Sequence, residues 1–321
     1  MRRRRVLAAA SGAALIGLAR AEAAWPSRPI TLVVPFASGG IADLTARTVA
    51  QAMAASLGQA IVIDNRPSAG SIVGSNMVAR ASADGYTLLL MSNANAISVS
   101  LFRKLPFDPV ADFVPISTLA YFDLGVFVAS GSRFRALEDV VAQAKAHPGR
   151  LTIGSITAGS TQHLAAELFK AKAGVDMLIV PYKGTPAVLT ALRAGEIDLA
   201  FEILGPMLSQ TRAGVIRTLA VTSSRRFPAL PQVPTVIEAG VPGYEVASWN
   251  ALAAPHGTPA SVIDRLHRAA TQAIAEPQVR ESLQALGVRA ASSSPKQLES
   301  LLVRQIGSWG DVIRAAKLQP Q

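Results

Sequence analysis

Twice in this chain an apolar, strand-like run breaks at a small glycine-bearing turn and resumes as a helix. The first instance is "VVPFASGGIADLTAR" (33–47); the second is "LTIGSITAGSTQHLAAELF" (151–169). A strand feeding a helix through a tight turn is half of a βαβ unit, and such units build a parallel sheet covered by helices. The turn also leaves the first N–H groups of the helix without intrahelical partners, at the positive end of the helix dipole. A turn of this kind can cradle an anion. It can equally be a plain turn, with Ser160 or Thr161 serving only as an N-cap.

Both instances sit in a repeated rhythm. Ile30–Phe36 reads as a buried strand, and Ile41–Leu57 as a helix stopped by Gly58. "AIVIDNRP" is a second strand, "SAGSIVGSNMVARA" a glycine-rich turn into a helix, and "YTLLLMS" a third strand. Pro106, Pro109 and Pro115 mark a rigid irregular passage before the strand "LGVFVAS". The pattern then restarts over roughly residues 126–222, with three helices alternating with strands, and "RTLAVTSS" leads out of it. The remainder reads as helices that start near prolines and lack a strand of their own. They are expected to cover the first sheet. The chain would then cross twice between two α/β lobes, with hinges near 122–128 and 217–224 and a ligand cleft between. The expected division is 24–125 with 223–321 for lobe one, and 126–222 for lobe two.

Residues 1–23 stand apart. Arg2–Arg5 precede a short apolar run, Val6–Leu18, and small-x-small sites end at Ala21 and Ala23. This order predicts a secretory signal peptide, by the general or the twin-arginine route, and a mature chain that starts near Ala24. Its removal takes five arginines and one glutamate, and lowers the formal charge from +10 to +6. A mildly basic protein suits an anionic ligand. The scattered cations and sparse aromatics point away from nucleic acid. With no cysteine there are no disulfides and no thiol chemistry, and the four histidines form no H-x-x-x-H pair for zinc. No G-x-G-x-x-G stands in the first turn and no Walker motif anywhere, which disfavours nucleotides.

Read in order, "WPSRPITLVVPF", "GGIADLTAR", "LGQAIVIDNRP", "DGYTLL", "LPFDPVADF", "GSTQHL", "VPYKG", "LAVTSSRR", "LPQVPTVIEAGVPGYEV" and "GTPASVIDRL" resemble the substrate-binding proteins of tripartite tricarboxylate transporters, the Bug or TctC-type receptors. The resemblance runs from Trp25 to about Ala316. It implies a two-lobed periplasmic binding fold of the type II-like kind, with each lobe a sheet flanked by helices. It implies a carboxylate held by the two glycine turns, a membrane permease as partner, and no catalysis, cofactor or metal. A monomer is expected. Carried over by position, it points to Phe36, Ser38, Gly39, Gly40 and Asp43, and to Ser155, Thr157, Gly159, Ser160, Thr161 and His163.

The chain departs from the family pattern at several positions. Ser38 replaces a usual proline, Thr157 a usual glycine, and Ser68 and Ser71 common glycines; Glu202 stands where aspartate is frequent. Glu202 could receive a ligand ammonium or hydroxyl, or be an ordinary strand-end carboxylate. Asn93 and Asn95 end a strand and could donate to the far end of a ligand. Asp43 suits the first helical turn in its own right. Two other readings remain open. One is a same-fold sensor that passes its closed form to a signalling partner. The other is a serine hydrolase using Ser160 and His163, which lacks the G-x-S-x-G elbow.

Overall fold

A computed structural model describes residues 25–156 and 159–320. The signal-peptide segment and Thr157 lie outside the described residues. Strand β1 (Ile30–Val34) leads through the first glycine turn into α1 (Ile41–Leu57), which Gly58 ends in the left-handed conformation. β2 (Ile61–Asn65), α2 (Ile72–Ala79) and β3 (Thr87–Ser92) complete the first βαβαβ unit. β1 pairs in parallel with both β2 and β3.

Asn93 and Asn95 do not close a strand. They open a helix, α3 (Asn93–Leu101), whose start is a reciprocal cap: Ser92 Oγ accepts from the Ala94 amide and Asn95 Oδ1 accepts from the Ser92 amide. After the proline-rich passage comes β4 (Phe113–Ala129), a strand of 17 residues. The sequence shows only its second half as strand-like, because Pro115 and the polar Ser117 and Thr118 interrupt the apolar pattern of the first.

The second unit is α4 (Leu137–Ala146), β5 (Thr152–Ile156), α5 (Thr161–Ala173), β6 (Leu178–Tyr182), α6 (Thr185–Ala194), β7 (Leu199–Ile203), α7 (Leu204–Arg212) and β8 (Ile216–Val221). β5 pairs in parallel with β6 and β7. The chain then returns with a strand the sequence pattern did not announce, β9 (Ala247–Pro255), before α8 (Ala260–Ala275), α9 (Pro277–Ala285), β10 (Val288–Ala290) and α10 (Pro295–Ala315). β9 is buried almost throughout, so its residues run apolar without the period-two alternation of a half-exposed strand.

β9 inserts antiparallel between β3 and β4, and the sheet order is β2-β1-β3-β9-β4-β7-β5-β6, with β8 and β10 also on β4. Along Phe113–Asp123 β4 pairs with β9; from Leu124 onward it pairs with β7 and β8. One strand therefore belongs to both halves, and its partner changes between Asp123 and Leu124. Thr222 clasps this point. Its amide donates to Leu124 O (3.0 Å), its Oγ1 accepts from Leu124 N (3.1 Å) and donates to Val246 O (2.7 Å), and Val246 N donates back to Thr222 O (2.9 Å).

Residues 223–246 lie against the second half. Phe227, Leu230 and Val233 share an apolar cluster with Val188 and Met207, and Tyr244 Oη donates to Ala165 O in α5. A different apolar cluster runs through both halves, joining Leu89 and Met91 to Leu124, Phe169 and Phe201, with Leu302, Trp309 and Ile313 of α10 packed on it.

The turn before α2 carries a local cost. Ser71 holds φ +60°, its side chain is buried, and its hydroxyl has no partner. A non-glycine residue there costs roughly 1–2 kcal/mol, part of which glycine returns as chain entropy. Ser71→Gly is expected to raise stability by about 1 kcal/mol, because it also removes the unpaired hydroxyl. Thermal or urea unfolding would measure it, and an unchanged or lower midpoint would contradict this account of the turn.

Candidate functional site

The two glycine turns are built by the same device. Gly39 and Gly159 have φ +80° and +79°, a conformation that only glycine adopts without strain. In each turn the amide of that glycine is taken by a side chain four residues on: Gly39 N donates to Asp43 Oδ2 (2.8 Å), and Gly159 N donates to His163 Nδ1 (2.9 Å). The acceptors sit in the first turns of α1 and α5 and tie the loops back onto their helices. Asp43 also accepts from Arg47 Nε (2.9 Å) and Asn65 Nδ2 (2.9 Å). Burial pushes its carboxyl up, but these bonds and the Arg47 guanidinium outweigh that and hold it below the usual range. Burial lowers the His163 imidazole, which is therefore neutral, in keeping with an accepting Nδ1.

The glycine amides are thus spent, and what remains free lies one step further along. α1 has no side-chain cap, so the first helical amides, of Ile41 and Ala42, have no intrahelical acceptor. In α5 the Ser160 hydroxyl accepts from His163 N (3.1 Å), which leaves the amides of Thr161 and Gln162. All four residues line one cleft of about 570 Å³ between the halves. Phe36, Gly40, Gly159 and Ser160 line it too. A larger but more open hollow of about 830 Å³, around Ser130–Phe134 and Arg193–Gly195, involves neither turn.

The other predicted site residues are behind or beside this cleft. Ser38 is exposed, 3.5 Å from Asp43 Oδ2, and does not line it. Gly39, Asp43 and His163 shape the turns from the rear. Ser155 is buried and turned to Ile156 O (3.2 Å). Asn93 acts across the gap between the halves: its Nδ2 donates to Thr161 Oγ1 (3.2 Å), while Trp309 Nε1 from α10 donates to its Oδ1 (2.8 Å). Leu101 also bridges, since a Cβ on Gly159 would collide with its side chain.

Sequence reasoning chose glycines and hydroxyls and passed over Ile41, Ala42 and Gln162. The rule that a helix's first amides lack partners would have found them. Ser160 and His163 do not form a nucleophile–base pair. Ser160 Oγ donates to Ile156 O (3.0 Å), and the accepting ring nitrogen of His163 is engaged by Gly159.

Glu202 is fully buried one layer behind the cleft. Its Oε2 accepts from Thr185 Oγ1 (2.9 Å) and Gln162 Nε2 (3.4 Å), and its Oε1 has no protein partner. Burial raises its carboxyl to about 7, against the opposing effect of these bonds.

A two-lobed α/β frame, with paired helix starts meeting across a cleft whose described lining carries no charged side chain, is the frame of a solute receptor. The sequence matches the family described as "Tripartite tricarboxylate transporter family receptor" over residues 45–318, and the chain belongs to that family. It is 39% identical to "UPF0065 protein in tcbD-tcbE intergenic region" of Pseudomonas sp., over 97% of this chain and 94% of that protein. Among solved structures it is similar to R. palustris Rpa4515 with adipate, at 35% identity and TM-score 0.82, covering 92% of this chain and all of that one. It is also similar to the periplasmic binding protein BugD, at 30% identity and TM-score 0.79, again covering 92% and 100%.

The raised Glu202 carboxyl has a signed consequence. The fold favours its neutral form, so the stability this group contributes is full below about pH 4.5 and is lost as pH rises through about 7. Glu202→Gln should match the wild type in unfolding midpoint near pH 4.5. At pH 8 it should exceed it by up to about 3 kcal/mol. Equal midpoints at pH 8 would mean that Glu202 ionises freely in the native state.

Proposed function

We propose that this protein is an extracytoplasmic receptor that binds a small organic carboxylate between its lobes and delivers it to the membrane subunits of a tripartite tricarboxylate-type transporter. The observation that carries the reading is the pair of matched turns. Two helix starts present unpaired amides to one cleft, and its described lining includes no Lys, Arg, His, Asp or Glu. Backbone amides and dipoles hold a carboxylate through charge-assisted hydrogen bonds without a counter-cation. The adipate in the Rpa4515 relative supports the ligand class. The periplasmic relative and the Arg-rich, apolar N-terminus support export by a signal peptide. The hydrogen bonds of Ser160 and His163 serve the turn, which favours binding over hydrolysis.

Within this reading lobe one is residues 25–123 with 247–320, and lobe two is 124–246. The crossings are then at Asp123/Leu124 and Val246/Ala247, on either side of the Thr222 clasp. The Asn93–Thr161 bond joins the lobes across the cleft, so the arrangement corresponds to a closed receptor. Small-angle scattering should show a larger radius of gyration for ligand-free protein than for protein saturated with a carboxylate that stabilises it. Identical values would argue for a rigid, preformed site.

Gly40→Val tests the cradle directly. Gly40 has φ −74°, and a Cβ there would meet only Ala37 O, at 3.4 Å, so the fold accepts a side chain that the cleft does not. Calorimetry with adipate and other small carboxylates should show binding lost, or weakened at least 100-fold, as expected for two lost bonds of about 1.5–3 kcal/mol each. Ser160→Ala should cost less, because the amides remain. Lys296→Ala, exposed on α10, should bind as the wild type does. Tight binding by folded Gly40→Val would place the cradle elsewhere.

A further inference from the structure

The β9 wall of the cleft holds a second polar feature. On β9, Ser248 and Asn250 share the face that lines the cleft, beside Phe122 of β4. Asn250 is 2% exposed. Its Nδ2 donates to Trp249 O (3.2 Å), and its Oδ1 is buried with no hydrogen-bond partner. The orientation of the amide is set, because a flipped carboxamide would bring two carbonyl oxygens together at that distance and lose the bond. Ser92, opposite on β3, accepts from the Ala94 amide and makes no bond to Asn250. A buried acceptor without a donor is costly in native structures, and it calls for a group that supplies one. The remaining wall is apolar, with Phe36, Ile97, Leu101, Phe102, Phe122 and Ile203.

We infer that Asn250 Oδ1 is a specificity-determining acceptor, and that it selects a carboxylate whose apolar body carries a hydroxyl directed at β9. This rests on the carboxylate-receptor reading above. The carboxylate engages the helix starts of α1 and α5, the hydrocarbon body fills the apolar wall, and the hydroxyl donates to Asn250. A hydroxyl fits better than an ammonium. No carboxylate lines the described cleft. Of the buried ones beside it, Asp43 is held by Arg47 and Asn65, Glu202 is covered by Gln162 and Thr185, and Asp123 follows Phe122 on β4 and so takes the opposite face of the strand, which leaves a cation there without a counter-charge. The same acceptor works against the unsubstituted analogue, whose methylene would bury Oδ1 without a donor.

The test uses matched pairs on the full mature chain: benzoate against 3- and 4-hydroxybenzoate, and hexanoate against 6-hydroxyhexanoate, with 6-aminohexanoate as the cationic member. At least one hydroxy acid should bind about 10- to 100-fold more tightly than its parent and than the amino analogue. Asn250→Leu should erase or invert that preference while still binding the parent acid. Without ligand, Asn250→Leu should melt no lower than the wild type, because it removes an unpaired acceptor; Asn250→Ala provides the same comparison if leucine disturbs folding. Parent and hydroxy acids binding equally, an amino analogue binding best, or a preference that survives Asn250→Leu would each overturn the inference and leave the receptor reading intact. A marked loss of ligand-free stability in both variants would also overturn it, since Oδ1 would then have a structural partner. If none of these acids binds and Gly40→Val changes nothing, the receptor reading fails, and this inference fails with it.

Discussion

The architecture depends on one strand serving two sheets. β4 gives its first eleven residues to β9 and its last six to β7 and β8, so the halves are joined through a continuous hydrogen-bonded backbone rather than through a loop. Such a strand can twist at the handover without losing its pairings on either side. Thr222 ties the three passing segments at that point, with one buried hydroxyl and its own amide and carbonyl. In the proposed receptor, motion between the lobes would turn on a few dihedrals near Asp123, Thr222 and Val246. An apolar cluster shared by both halves and covered by α10 packs them together.

The binding chemistry proposed above rests on backbone geometry more than on charge. Each glycine turn spends its left-handed residue's amide internally, on Asp43 in one case and on His163 in the other. That bond prevents the loop from relaxing and holds the next helical amides toward the cleft. Preorganised dipoles need no rearrangement when an anion arrives, and they leave the rest of the wall free to be apolar. The same logic accounts for an acidic residue four residues after Gly39 at the proposed anion site. Asp43 does not line the cleft; the Arg47 guanidinium offsets its charge and Asn65 Nδ2 donates to it.

The polar groups behind the cleft divide by what they touch. Asn93 reaches across to Thr161 and is itself held by Trp309, so a residue near the C-terminus helps set how the lobes meet. Glu202 is linked to the cleft lining through Gln162 Nε2 and the Ile203 amide, both of which donate to its Oε2. Ser71 shows the cost of a serine where the backbone calls for glycine.

Much of this was legible in the sequence, for local reasons. Both βαβ units, the helix α1 to its last residue and the two glycine turns are written in apolar periodicity and in turn residues, which act over a few positions. The positive φ of Gly39 and Gly159 is likewise a property of one residue, which a glycine in a turn can signal. What the pattern could not show was set by distant partners. β9 is hidden in the middle of a sheet and β4 is interrupted by polar residues, because a strand buried on both faces need not alternate and pairing tolerates a proline at a register shift. The roles of Asn93, Glu202 and Asn250 depend on groups 68, 40 and 158 positions away or more: Thr161 and Trp309, Gln162, and Ser92. The sequence by itself determined the elements, the turns and the anion-favouring helix starts. Only the tertiary structure decided which amides stay free, which side chains are spent in holding the turns, and which buried acceptor has no protein donor, because hydrogen-bond satisfaction depends on who stands opposite across the fold.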